Sequence, residues 1–335
     1  MPDALIVGGS GLIGRAIALR LAAAGWQVRV TGRTHLPAEL HTAGVSFIAA
    51  DRTDMQRELA AGVDLLVDCA CYTADHARAL VELAAEAGST VLLSSKAVYI
   101  DSAGNHANSD VEPRFDGPLH ESAPTMPPGD IDYHSRAGYG ANKVAAEQVS
   151  LDSGLPVTVL RPSRVHGVGN RRPREWVFVK RILDGRHSVL LRRRGSGIVH
   201  TTAAANIAAL VETVAHQPGT RILNIADPDT PTALDISRTV ARHLAHDWTE
   251  ILLDDHSLGN TPWDSTHPVT LDTSAAIALG YQTVGDYATT VAAQLDWLIS
   301  AARSGDTSGI LPADDDPYFR QFFDYPAEDK FLAGR

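Results

Sequence analysis

Tyr139 and Lys143 stand four residues apart in Tyr139-Gly140-Ala141-Asn142-Lys143. On a helix this spacing puts both side chains on one face. A cation near a phenol lowers its pKa towards working pH, so Tyr139 is a candidate proton donor or acceptor. Ser95 closes the apolar run Thr90-Val91-Leu92-Leu93-Ser94-Ser95. A hydroxyl at the carboxyl end of a strand, where ligands bind in parallel sheets, is placed to hold a reacting oxygen. Exposed helices often carry such a Tyr–Lys pair by chance, so its weight comes from the elements around it.

The first of those elements is Val7-Gly8-Gly9-Ser10-Gly11-Leu12-Ile13-Gly14, which joins the apolar run Ala4–Val7 to a helix ending before Gly25. Gly8 permits a tight turn, Gly11 leaves a diphosphate room against the backbone, and Gly14 lets helix and strand pack closely. The helix N-terminus offers N–H groups to phosphates. Gly8, Ser10, Gly11, Leu12, Ile13 and Gly14 are therefore expected to bind a dinucleotide. The second strand, Gln27–Thr31, ends in Gly32-Arg33-Thr34. An arginine without an acidic neighbour suits a ribose 2′-phosphate, so NADP is expected rather than NAD. Asp51 follows the third strand, Val45 to Ala49, and reads either as an adenine contact or as a cap. The fourth strand, Asp64–Asp68, enters Cys69-Ala70-Cys71, where Ala70 lets the backbone approach a cofactor. The two cysteines read as small packing residues.

Strands alternate with helices, which implies an α/β fold of Rossmann type, a doubly wound parallel sheet. A net charge of −11 argues against nucleic-acid or anionic-membrane partners. Two cysteines in 335 residues, and a first strand beginning just after residue 3, predict a cytoplasmic protein. No apolar run approaches the ~18 residues of a membrane helix. His243, His246 and Asp247 have no evident fourth ligand, and no metal is expected.

Three later stretches bear on the substrate. Residues 100–137 are polar and rich in Gly, Pro, Asp and His, and so long a loop is usually functional or partly disordered. Arg161, Arg164, Arg171, Arg172, Arg174, Lys180, Arg181, Arg186, Arg192, Arg193 and Arg194 crowd a region whose only acids are Glu175 and Asp184. They read either as a solvated face with ion pairs or as a site for phosphate or carboxylate. Tyr318, Phe319, Phe322, Phe323 and Tyr325 crowd the C-terminus, and a group this apolar is predicted to dock on the body or on a second subunit.

Taken together, these motifs resemble the extended short-chain dehydrogenases/reductases, in the NAD(P)-dependent epimerase/dehydratase family. The resemblance runs over roughly residues 3–300 in element order. It rests on Gly8-x-x-Gly11-x-x-Gly14, on Ser94-Ser95-Lys96-Ala97-Val98-Tyr99, on Tyr139 with Lys143, and on Leu160-Arg161-Pro162. It implies Ser95, Tyr139 and Lys143 as catalytic residues, with Lys143 on the nicotinamide ribose. Ser94, Pro162 and Arg164 are added to the cofactor-binding residues. It also implies a smaller C-terminal substrate domain: residues 1–170 would form the cofactor domain, with 195–226 returning to it, residues 171–194 and 227–303 the substrate domain, and 304–335 a tail. A cleft between the two domains and a homodimer built on the helices near 74–87 and 139–152 are implied as well. Lys96, Arg164, His166, Arg171 and Arg172 are the expected substrate contacts. Arg164 stands where the family often has a substrate-binding Asn, and a guanidinium cannot accept hydrogen bonds. Lys96-Ala97 replaces the Asp-Glu pair of the sugar dehydratases, and Ala97 replaces the catalytic Cys of the fucose-synthase-like enzymes.

The function expected from this reading is an NADP(H)-dependent oxidoreductase acting on a carbonyl or secondary alcohol of a small, anionic or sugar-like metabolite. The alternatives are a nucleotide-sugar epimerase with no net redox change, and a non-catalytic NADP- or partner-binding protein.

Overall fold

The computed structural model describes residues 1–33, 36–50, 52, 59–306 and 309–335. Its strands are β1 (Asp3–Val7), β2 (Gln27–Gly32), β3 (Ser46–Ala49), β4 (Leu65–Asp68), β5 (Ser89–Leu93), β6 (Val157–Pro162), β7 (Arg164–His166), β8 (Ser188–Leu191), β9 (Thr201–Ala203), β10 (Arg221–Ile225) and β11 (Thr249–Leu252). The helices are α1 (Leu12–Ala23), α2 (Ala38–Thr42), α3 (Ala74–Ala84), α4 (Gly138–Leu151), α5 (Trp176–Leu183), α6 (Ala204–Ala215), α7 (Ala233–His243), α8 (Ser274–Ala278), α9 (Tyr287–Arg303) and α10 (Tyr325–Ala333). None is long and apolar enough to cross a membrane among the described residues.

The apolar runs of the sequence become strands buried on both faces, as parallel sheets require. Every residue of β4, β5 and β6 is buried. Seven strands lie in the order β10-β6-β5-β4-β1-β2-β3, all parallel. Side chains alternate across the sheet. Ala4 and Ile6 of β1 join Ile17 and Leu21 of α1 and Ile207 and Leu210 of α6 in one core. Leu5 and Val7 face the other way, towards Ala77 and Leu80 of α3 and Ala146 of α4. The strand order reverses between β1 and β4, and the crevice beyond their carboxyl ends is where such sheets bind ligands.

A further core lies beyond β6. Trp176 and Phe178 of α5, Val240 of α7 and Leu295 of α9 meet there, with Phe178 stacked on Trp263 at 6.0 Å between ring centroids. Of these elements, α5 lies within the basic stretch of residues 161–194, as does β8.

The long stretch before α4 has no strand or α-helix, but it is pinned. Tyr99 bridges Thr125, Ile100 bridges His106 and Leu119 bridges Leu271. The Asp101 carboxylate accepts from the backbone N–H of Arg114, Asn105 and Ala103 at 3.0, 2.8 and 2.9 Å. These bonds, Arg114 first, hold its pKa down at about 2. Partial disorder is therefore not what the chain adopts here.

The aromatic tail docks on the body of its own chain. Phe319 and Phe322 enter the core of α5 and α9. Arg181 of α5 donates to both oxygens of Glu328 at 2.7 Å and to the Phe322 carbonyl at 2.6 Å, with both charged side chains buried. Deleting residues 315–335 would uncover the aromatic pocket and strip Arg181 of its carboxylate. Breaking a buried pair from one side costs about 3–5 kcal/mol. Chemical denaturation of the truncated chain should therefore show a loss of at least about 3 kcal/mol, and wild-type stability would reject the tail's structural role.

Candidate active site

The glycine turn leaves β1 at the point where the strand order reverses. Gly8 has φ +76°, a conformation that glycine adopts without strain. A Cβ on Gly14 would lie 2.6 Å from the Gly8 carbonyl oxygen and from the Gly9 Cα, so α1 seats against the turn only because Gly14 has none. A Cβ on Gly11 would meet nothing nearer than 3.5 Å. The N-terminus of α1, Leu12-Ile13-Gly14, has no side-chain cap. Its free N–H groups and partial positive charge are suited to an anion. Ser10 points its hydroxyl towards Gly32 at the end of β2, and Arg33 beyond it is exposed. Asp51 lies outside the described residues. Its neighbour Arg52 makes a bidentate pair with Asp68, which ends β4.

Two substitutions separate packing from binding at this turn. Gly14→Ala forces backbone against backbone and is expected to destabilise the fold. Gly11→Ala is expected to keep the melting temperature and weaken dinucleotide binding, because its methyl projects into open space. Calorimetric binding with thermal melts checks both, and equal affinity in Gly11→Ala and wild type would contradict the assignment.

Ser95, Tyr139 and Lys143 meet at the carboxyl ends of β5 and β4. Ser95 caps the short 3-10 turn Lys96–Val98, its Oγ accepting from the Ala97 N–H at 3.1 Å. A Cβ on Gly140 would lie 2.5 Å from the Ala97 carbonyl oxygen, so α4 abuts this turn and brings Tyr139 to Ser95. The Ser95 hydroxyl is near enough to the Tyr139 phenol to favour its ionised form. One turn on, Lys143 Nζ donates to the carbonyl oxygens of Cys71 at 2.7 Å and Leu93 at 2.8 Å. It also lies 4.5 Å from the centroid of Tyr72, whose ring stacks on Tyr133 at 5.3 Å. No role for Tyr72 is legible from the residues around it in the chain.

The electrostatics depart from expectation. Burial pushes the Tyr139 phenol up, against the hydrogen bond from Ser95. Burial also pulls the Lys143 ammonium down, against Cys71, Tyr72, Asp68 and Glu147. The expected lowering of Tyr139 by Lys143 is absent here. Lys143 Nζ lies 6.0 Å from the Tyr139 ring centroid and spends two donors on backbone carbonyls.

A buried network holds these elements from below. Ser94 donates its hydroxyl to Glu147, one turn beyond Lys143 on α4. Arg161 of β6 makes a bidentate pair with the same carboxylate, at 3.0 and 2.5 Å. The Arg161 guanidinium stacks on Tyr99, whose hydroxyl donates to Asn224 of β10 at 2.7 Å. Ser94, expected as a cofactor contact, thus gives its hydroxyl to the scaffold. Pro162 ends β6 and is buried. Ala70 N–H donates to Asp68 at 2.8 Å. Cys69 and Cys71 are unpaired thiols that burial pushes up, Cys71 to about 12, which suits packing rather than nucleophilic attack.

His166 was expected at the substrate. The structure instead buries it, with Nε2 2.9 Å from Asp227 Oδ2. The ring packs edge-on against Tyr287, so its polar contact serves the fold. The basic stretch also divides. Arg161 and Arg181 are buried in ion pairs, Arg186 pairs with Asp329, and Arg192 and Arg193 share Asp264. Lys96, Arg164 and Arg174 form no ion pair among the described residues, although both arginines are close enough to depress the ionisation of Lys96, and Arg174 that of Arg164. Arg171 and Arg172 are exposed, and Arg172 lies 5.8 Å from the Tyr318 ring of the tail.

Comparison with known proteins accords with this geometry. The sequence profile of the NAD dependent epimerase/dehydratase family matches residues 4–226. No curated protein sequence matches the chain. Among solved structures, UDP-N-acetylglucosamine 4-epimerase from Methanobrevibacter ruminantium M1, in complex with UDP-N-acetylmuramic acid, superposes with a TM-score of 0.68 at 18% identity, covering 90% of this chain and 99% of that one. MoeE5 in complex with UDP-glucose and NAD gives 0.66 at 19% identity, covering 90% and 99%. The dTDP-glucose 4,6-dehydratase DesIV from Streptomyces venezuelae, with NAD and TYD bound, gives 0.65 at 20% identity, covering 92% and 100%. With its glycine turn, seven-stranded parallel sheet and Ser–Tyr–Lys constellation, the chain belongs to the NAD dependent epimerase/dehydratase family, an enzyme with the extended short-chain dehydrogenase/reductase fold.

Proposed function

We propose that this enzyme is an oxidoreductase that uses a nicotinamide dinucleotide, NADP(H) in preference to NAD(H), on a carbonyl or secondary alcohol of a small metabolite. The observation that carries the proposal is the juxtaposition of Ser95 and Tyr139, brought about by the packing of α4 on the turn after Ser95, with buried Lys143 one helical turn further along. The residues fit the dinucleotide. Gly11 leaves open space at an uncapped helix N-terminus, and exposed Arg33 stands at the end of β2 without an acidic neighbour. The similar structures named above that carry a dinucleotide carry NAD, so the preference for NADP rests on Arg33 alone.

When bound, the nicotinamide supplies or takes up the hydride. Ser95 holds the substrate oxygen through its hydroxyl. Tyr139 Oη gives that oxygen a proton in reduction and removes one in oxidation. Lys143 would hold the ribose with the one ammonium N–H that its two backbone carbonyls leave free. Lys96-Ala97 offers no carboxylate for elimination, so the residues after Ser95 do not support dehydration. Action in the cytoplasm, and as a homodimer through α3 and α4, belongs to the same reading.

A second reading is an epimerase that returns the hydride to the same substrate, favoured by the epimerase and MoeE5 nucleotide-sugar complexes named above. The two separate in one assay. The oxidoreductase oxidises NADPH in stoichiometric amount with at least one carbonyl compound bearing an acidic group. Interconversion of a UDP-sugar pair with no net NADPH loss would establish the epimerase instead.

A further inference from the structure

We propose that Lys96, Arg164 and Arg174 form a subsite for an oxyanion, carboxylate or phosphate, carried on the substrate's own carbon frame beside the reacting carbon. The proposal rests on the reading of Ser95 and Tyr139 as the reacting centre, but anion binding itself is independent of turnover. Lys96 directly follows Ser95, on the turn that α4 abuts. Arg164 begins β7, its N–H donating to the His200 carbonyl at 3.2 Å. Arg174 lies on the segment leading into α5, and Tyr318 of the docked tail borders Arg164. Arg164 and Arg174 both act on the charge of Lys96, so cations from three separate segments gather at the residue that follows Ser95.

Two observations mark the cluster as built for a ligand rather than for the fold. The first is an orphan. Arg164 Nη1 is sealed from solvent and has no hydrogen-bond partner, and a buried unpaired donor is costly. The second is the missing counter-charge. The neighbouring arginines 161, 181, 192 and 193 each have a carboxylate, whereas Lys96, Arg164 and Arg174 have none among the described residues. Burial first, and then Arg174, pulls the Arg164 guanidinium down to about 9, and burial, then Arg164 and Arg174, pulls Lys96 well below its usual value. Like charges gathered out of water are unfavourable until an anion joins them. An arginine presents a planar fork that takes two oxyanion oxygens at once. Because Lys96 adjoins Ser95 in the chain, the anion it meets sits close to the carbon being reduced or oxidised. The substrate class is therefore a compact hydroxy or keto acid, or a phosphorylated sugar.

The test uses the full chain loaded with NADP+, titrated with inorganic phosphate, with tartrate and with UDP at matched ionic strength, with binding read by calorimetry and thermal melts. Saturable binding of phosphate or tartrate is expected, and whichever binds more tightly identifies the phosphate or the carboxylate source. Lys96→Met and Arg164→Met should each weaken that binding by at least about tenfold, and Lys96→Met should retain NADP+ affinity. Without anion, both variants should melt no lower than wild type, because each removes one cation from an uncompensated group. Arg164→Lys keeps the charge and should bind the anion better than Arg164→Met. Absence of saturable binding by phosphate and tartrate would overturn the proposal. So would unchanged anion affinity in the variants, or binding of UDP alone. Anion binding that persists in a protein lacking NADPH oxidation would instead count against the hydride-transfer reading and leave the subsite standing.

Discussion

Replacing Tyr139 with Phe is expected to lower kcat by about 10²–10⁴-fold, the usual contribution of a positioned general acid. Cofactor affinity should be unchanged, because the substitution removes one hydroxyl that faces Ser95. The pH profile supplies a second readout. Burial raises the Tyr139 pKa, so the phenol is protonated at neutral pH and ready to donate. Reduction should therefore fall as pH rises through that raised value, and oxidation should rise over the same range. Steady-state kinetics in both directions, with fluorescence titration of the reduced cofactor, would check this. Turnover within about tenfold of wild type would remove Tyr139 from the proton transfer.

The largest effect on stability is expected at Asp227, a residue with no part in the proposed chemistry. Its Oδ1 accepts from the Ala203 N–H at 2.7 Å and from Asn206 Nδ2 at 2.9 Å. Its Oδ2 accepts from Thr201 Oγ1 at 2.6 Å and meets His166 Nε2 at 2.9 Å. One buried carboxylate thus ties the turn after β10 to β7, β9 and α6. Asp227→Ala would leave these groups unpaired at a cost of about 3–5 kcal/mol.

Linkage gives this site a pH signature. Burial pushes the Asp227 carboxyl up, but His166, Thr201 and Ala203 outweigh it and the net shift is downward. Its contribution is therefore present above the unfolded pKa of about 3.9 and is lost as pH falls through the lowered folded value. Burial pushes His166 down, but Asp227 outweighs it and the net shift is upward. That contribution is complete below the unfolded pKa of about 6.5 and is lost as pH rises through the raised folded value. Urea denaturation of wild type and Asp227→Ala between these limits should show the largest gap in the middle of the window. A gap below about 1 kcal/mol would contradict the structural role.

How far the sequence revealed this molecule depends on where the partners of each element lie. β1, β4, β5 and β6 were legible because strands buried on both faces leave continuous apolar runs. The glycine turn was legible because its constraints are local: Gly14 touches Gly8 and Gly9, only a few residues away. Ser95, Tyr139 and Lys143 were found from order and spacing, yet their electrostatics depend on burial, which spacing does not report. In α5 the run Trp176-Val177-Phe178-Val179 was hidden among arginines. Their counter-charges are remote in sequence, Glu328 for Arg181 and Asp264 for Arg193. Asp227-Pro228-Asp229 reads as a turn, and nothing in the local sequence announces that Asp227 binds three segments. His166 was misplaced for the same reason, since its partner lies 61 residues on.

The most direct test of the central claim is the identity and exchange of the cofactor. Freshly purified protein would be denatured and any released nucleotide identified, and stripped protein would be titrated with NADPH and NADH. An oxidoreductase that exchanges NADP(H) at each turnover should release little nucleotide and bind NADPH at least tenfold more tightly, about 1.4 kcal/mol. Arg33→Asp should reverse that order. Stoichiometric NAD retained through purification, with no preference for NADPH after stripping, would contradict the account and move the epimerase into its place.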